Sequence, residues 1–214
     1  MRKFFTIGLL FLVITLQAQD LKSLYISIPD SLSPLLTNVN RQDFGDFLAS
    51  NMKAEVKNRF GNSSEMLKLT GDYLKIKLTT VSSVEMKLLP VNDSTKVICV
   101  AKTYQGPVAD TEISFYSTSW EKLNEKEFID FPKKEDFFIV PIKPEQIDSL
   151  EYVKAQADIH LTQASLSENK QTIEFTYTMP DYLDKKTAAT VRKYVIKSPI
   201  SYKWVDGHFS RNKD

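Results

Sequence analysis

The chain has 214 residues, 28 of them basic and 27 acidic, and 42% of them are hydrophobic. That balance excludes a basic footprint for nucleic acid, and the apolar and aromatic content excludes a disordered chain. A single cysteine, Cys99, excludes an internal disulfide, so stability has to come from packing.

In chain order, residues 1–18 are predicted to be a signal peptide. Arg2 and Lys3 supply the positive start, and Phe4 to Leu16 form a short apolar core. Leu16-Gln17-Ala18 ends the segment on a small residue suited to cleavage. A spanning helix needs about 20 apolar residues, so no transmembrane anchor is expected once this segment is removed. Losing Arg2 and Lys3 brings the formal charge from +1 to −1.

Pro29 to Thr37 reads as an irregular lead-in fixed by Pro34. A helix is predicted from Arg41 to Phe60, with Asn40 as N-cap and Gly61 just past its end. Phe44, Phe47, Leu48, Met52, Val56 and Phe60 recur at three- and four-residue steps and define its apolar face.

The period then changes to two. Leu74, Ile76 and Leu78 alternate with Lys75 and Lys77; Val84, Met86 and Leu88 alternate with Glu85 and Lys87. Lys96 to Tyr104 is apolar on both faces, as a central strand would be, and Thr111 to Ser117 forms a fourth strand. These strands predict an antiparallel meander lying on the helix.

Pro132, Pro141 and Pro144 mark an extended crossover or edge strand from Phe131 to Pro144, and a short helix is expected from Glu145 to Lys154. Ala157 to Ala164 and Thr172 to Met179 read as a hairpin, and Asp181 to Tyr194 as helical. Ile200, Tyr202 and Trp204 then alternate into the turn at Asp206-Gly207. The expected fold is α+β, with antiparallel meanders and helices packed on one face. It divides either into residues 19–131 and 132–214, as two loosely related halves, or not at all, as one continuous domain 19–214.

Four stretches carry a resemblance: IPDSLSPLLTNVNRQDFGDFLASNMKAEV from Ile28 to Val56, SEMLKLTGDYL from Ser64, MKLLPVNDSTKVICV from Met86, and ISFYST from Ile113. Together they resemble an exported Bacteroidetes family catalogued only as a domain of unknown function. The resemblance spans most of the chain after residue 18. It implies a periplasmic or outer-surface location in a Gram-negative cell and supplies no catalytic residues.

The residues themselves carry little chemistry. His160 and His208 are the only histidines, and neither begins a metal-ligand spacing, so no metal or cofactor is expected. Ser-x-x-Lys occurs at Ser50, Ser119, Ser167 and Ser210, without the Lys-Thr-Gly partner that serine catalysis of that type requires. Glu121, Glu125, Glu127 and Asp130 are the candidate carboxylates for a hydrolase, although a solvated charged run explains them more simply.

Among the aromatics Tyr116, Trp120, Tyr152, Tyr182, Tyr202 and Trp204, the pair Tyr202 and Trp204 alternates with Ser201 and Lys203. That pair is the candidate binding surface if exposed, and core if not. The expected function is an exported, non-catalytic binding or interaction protein of the cell envelope, its partner an envelope protein or glycan. The alternative is an envelope hydrolase whose acidic residues converge only in three dimensions.

Overall fold

The computed structural model describes residues 20–140 and 145–212; the predicted signal peptide and residues 141–144 of the predicted crossover lie outside them. The fold is α+β, built on two antiparallel meanders. Helices α1 (Leu21–Ile26) and α2 (Asn38–Ala49) precede a seven-stranded sheet in sequential order: β1 (Glu55–Lys57), β2 (Ser63–Leu69), β3 (Tyr73–Thr79), β4 (Ser82–Pro90), β5 (Lys96–Gln105), β6 (Ala109–Ser117) and β7 (Lys122–Leu123). Two 3-10 turns, at Glu125–Glu127 and Lys134–Phe137, lead to α3 (Glu145–Gln156). A second sheet follows, from β8 (Thr162–Leu166), β9 (Thr172–Tyr177), β10 (Ile200–Val205) and β11 (His208–Arg211), with α4 (Met179–Tyr182) and α5 (Lys185–Val191) inserted after β9.

Helix α2 is shorter than the apolar spacing predicts. Thr37, not Asn40, is its N-cap; the Thr37 hydroxyl accepts from the Asn40 backbone while the Asn40 side chain accepts from Thr37, a reciprocal cap at 3.1 Å each way. The helix stops at Ala49, with Asn51 in the left-handed region at φ 54°. Met52 and Phe60 are exposed, and Val56 is buried on β1 rather than on a helix. Phe44 is the fully buried side chain of α2, while Phe47 and Leu48 are half-buried.

Strands at Tyr73–Thr79 and around Val84–Leu88, Lys96–Tyr104 and Thr111–Ser117 form where alternation predicts them. β1, β2, β7 and β11 lie outside those expectations. Among the described residues, the predicted crossover or edge strand after Phe131 holds a 3-10 turn and an isolated bridge from Phe138 to Val195.

The first sheet is covered on both faces. One face carries Met66, Leu74, Ile76, Val84, Met86, Leu88, Ile98 and Val100 against Leu21, Leu24, Tyr25, Leu36 and Phe44. The other carries Leu89, Val97, Cys99, Ala101, Ile113 and Phe115 against Ile173, Phe175, Ile200, Tyr202, Trp204 and Phe209 of the second sheet. Strand β5, apolar on both faces, therefore sits in the middle layer of three. The second sheet is buried on its inner face only, with alternate residues of β9 and β10 exposed outside.

Covering that face buries charge. Glu85 and Lys87 alternate with apolar neighbours as solvent-facing residues would, yet both are buried between the sheets. Their charges are satisfied there: Lys75 Nζ lies 2.7 Å from Glu85, and Lys87 Nζ lies 2.8 Å from Asp72 and donates to the Glu168 carbonyl. Among the described residues no buried side-chain nitrogen or oxygen lacks a partner.

The outer edge of β8 is closed without a strand. Its amides at Thr162, Ala164 and Leu166 donate to Asp110, Thr111 and Glu85 of the first sheet at 3.1, 3.0 and 2.7 Å. Side-chain oxygens thus occupy positions that another chain's backbone would use, which protects an edge against strand addition. At the opposite edge the Phe209 amide donates to the Phe128 carbonyl at 2.7 Å.

Candidate functional site

The aromatic pair picked out from alternation is core. Tyr202 is 4% and Trp204 5% exposed, because the face that bears them turns toward the first sheet. Trp204 stands 4.9 Å from the Phe209 ring and 6.3 Å from Phe128, and its indole N–H donates to the Pro90 carbonyl at 2.6 Å. Neither ring is available as an exposed binding surface. Tyr116 and Trp120 are also buried, leaving Tyr152 and Tyr182 as the exposed aromatics of that set.

The remaining candidates do not assemble. His160 is exposed and His208 half-buried. Glu121, Glu127 and Asp130 lie on the surface, with Glu125 half-buried beside them. Among the described residues no three His, Cys, Asp or Glu side chains group as a metal site would. Cys99 is fully buried, and burial pushes its thiol far above the usual range, so it is not a nucleophile.

The structure instead presents a cleft on the helical side of the first sheet, with a volume of about 150 Å³. Its floor is the helix-facing side of β3, β4 and β5 near the turn at residues 79–82. Register places Val84 between Ile76 and Lys102, and Ser82 opposite Tyr104. With Leu78 and Met86 these residues form a continuous surface; its roof is Tyr25, Ile28, Leu32, Ser33, Pro34 and Leu35.

The roof segment packs on the sheet through Tyr25 and Ile28 and is tied to α2 by hydrogen bonds. Arg41, 3% exposed, donates to the carbonyls of Leu36 at 2.7 Å and Ile28 at 3.1 Å, and to Asp30 at 3.2 Å. Asp30 also accepts from Arg59, and the hydrogen bonds from Arg59 and then Arg41 hold its carboxyl below the usual value of 3.8. Trp120, with a positive φ of 67°, fixes α1 from the sheet side by donating to the Leu24 carbonyl at 3.0 Å. A bulky residue in that conformation costs about 1–2 kcal/mol, so the contact is maintained against backbone strain.

Electrostatically the cleft is simple. Lys102 is the one charged residue that lines it, half-buried at its mouth beside the exposed Tyr104. Among the described residues Lys102 takes part in no ion pair, although Glu112 stands opposite it across β5 and β6. Burial raises the Tyr25 hydroxyl well above its ordinary pKa, so the roof adds no negative charge. An apolar chamber with one cation at its mouth selects shape and charge; its other polar side chains are the hydroxyls of Tyr25, Ser33, Ser82, Ser83 and Tyr104.

Alternation marks the floor as a core face, but nothing in the chain signals that the roof stands off from it. The nearest signals are Pro29 and Pro34, which keep residues 29–37 from closing into a helix that would pack flat.

No curated protein matches the chain. A solved structure described as a domain of an uncharacterized protein from Porphyromonas gingivalis W83 matches it with a TM-score of 0.80 and 29% sequence identity, covering 91% of this chain and 98% of that one. The fold is therefore shared over nearly its whole length with a protein from a Bacteroidetes organism. A family model described as a protein of unknown function (DUF3256) matches residues 13–209, and the chain belongs to that family.

Proposed function

We propose that this protein is exported, cleaved near Ala18, and acts in the cell envelope as a non-catalytic binding protein whose ligand site is the cleft under residues 25–35. The observation that carries the reading is the cleft itself: a mostly apolar hollow with a charged mouth, beneath a segment tied down by a buried arginine. The n-, h- and c-region pattern of residues 1–18 supports export. Among the described residues no helix is long and apolar enough to cross a membrane.

The test is to express the full chain in a Gram-negative host, purify it from the periplasmic fraction, and sequence its N-terminus. Organic-solvent extracts of the denatured protein are then compared by mass spectrometry with those of a Leu78→Trp variant. The expected outcome is an N-terminus at Gln19 and a small molecule that co-purifies with wild type but not with the filled cleft. Retention of Met1 on membrane-bound protein, or identical extracts from both proteins, would overturn the proposal.

A further inference from the structure

The geometry points to a ligand class for the cleft: a monocarboxylic acid with a short apolar tail, its tail over Val84 and its carboxylate on Lys102. The inference rests on the binding reading above and adds to it the chemistry of the occupant. Size sets the tail. A mostly apolar cleft of roughly 150 Å³ has room for a group about the size of benzene, so about six carbons fit inside.

Polarity sets where the head must stay. Ile28, Leu32, Ile76, Leu78, Val84 and Met86 give an ionised group no partner, and burying it among them would cost far more than the tail gains. Only the mouth offers a charge. Lys102 is half-buried there with no ion-pair partner among the described residues, and no carboxylate is among the residues lining the cleft. An ammonium so placed favours an anion over a neutral or cationic head.

Glu112 is the charged neighbour that competes. It is opposite Lys102 in the β5–β6 register, exposed, and outside the lining of the cleft. Its carboxylate lowers the positive potential at the mouth, so its removal should strengthen binding of an anionic ligand. Arg41 and Arg59 are engaged by Asp30 and do not line the chamber.

The experiment is calorimetric titration of the purified chain with octanoate and, separately, with octanol, on wild type and three variants whose melting temperatures are matched first. Saturable one-to-one binding of octanoate to wild type is expected. Lys102→Gln should weaken octanoate about fivefold, the effect of a half-exposed ion pair, and leave octanol unchanged. Glu112→Gln should tighten octanoate about twofold. Leu78→Trp should abolish both ligands by filling the tail site.

Equal affinities for octanoate and octanol, insensitive to Lys102 but lost in Leu78→Trp, would overturn the carboxylate class while leaving the cleft as a binding site. Failure of both ligands to bind wild type would overturn this inference. The parent reading fails separately, when the periplasmic wild-type protein yields the same extract as Leu78→Trp.

Discussion

On one face of the first sheet Phe115 is fully buried, 4.9 Å from Phe128 and 6.5 Å from Trp204. On the other, Leu78 and Val84 look into a cleft beneath a lead-in containing one six-residue helix. The same strands supply both faces, so the difference lies in what covers them. A second sheet presents a row of inward side chains at regular spacing; an irregular segment held by Arg41 meets the sheet through Leu21, Leu24, Tyr25, Ile28 and Leu36, with Leu32 and Leu35 only half-buried. Dense aromatic packing around Phe115 makes the first interface stable, and the opening between the sheets is lined by the polar Lys75, Lys77, Glu85, Thr103 and Gln163. The looser interface has room, and it is there that we place function.

This contrast can be broken by substitution. Trp204→Ala lies in the dense interface and should cost about 3–5 kcal/mol in a urea melt, with loss of the Pro90 hydrogen bond included. A cost near zero would mean that the two sheets do not share a core.

Arg41→Met tests the other side. It leaves the Ile28 and Leu36 carbonyls without their donor and should cost about 2–3 kcal/mol, less than Trp204→Ala. The clamp also has a pH signature. Because the Asp30 carboxyl is depressed in the folded state, its contribution is present above the usual value of 3.8 and is lost as pH falls through the lower folded value. The stability difference between wild type and Asp30→Asn should therefore be constant near neutrality and shrink in acid. A difference that grows on acidification would contradict the clamp.

Cys99 lies in the dense interface, opposite Phe115 in the β5–β6 register. It should resist a thiol reagent until the protein unfolds, and Cys99→Ser should cost about 1–3 kcal/mol. Rapid labelling of native protein would show that the sheets separate readily. The smallest effect belongs to Phe47→Ala, at about 1 kcal/mol, because that ring is half-buried on α2; the fully buried Phe44 should cost several-fold more.

Much of the first sheet was legible because its strands alternate, and the α+β class followed from the change of period after α2. What was not legible has a common physical origin. Alternation reports which residues are polar, not whether something covers them. Glu85 and Lys87 therefore read as solvated although paired charges bury both, and Tyr202 and Trp204 had the same pattern whether outward or core.

The helix predicted to Phe60 failed for a related reason. Val56 keeps helical spacing by coincidence while it pairs with Ser64 on β1, across a turn where Gly61 has φ 77°. β2 was hidden because its apolar alternation is thin and its register slips between Met66 and Lys68. The cleft could not be read at all. It is a gap between segments some fifty residues apart, beneath a stretch held by a guanidinium that bonds two backbone carbonyls and Asp30.

The most direct test of the contrast is hydrogen exchange measured along the whole chain, with and without octanoate. Without ligand, amides of β5 should exchange only through global unfolding, and those of residues 21–36 through a smaller opening that leaves the sheets intact. With ligand, protection should rise at residues 25–36 and at β3 and β4 beneath them, and stay unchanged in β8 to β11. Uniform exchange in the free protein, or added protection confined to the second sheet, would contradict the account.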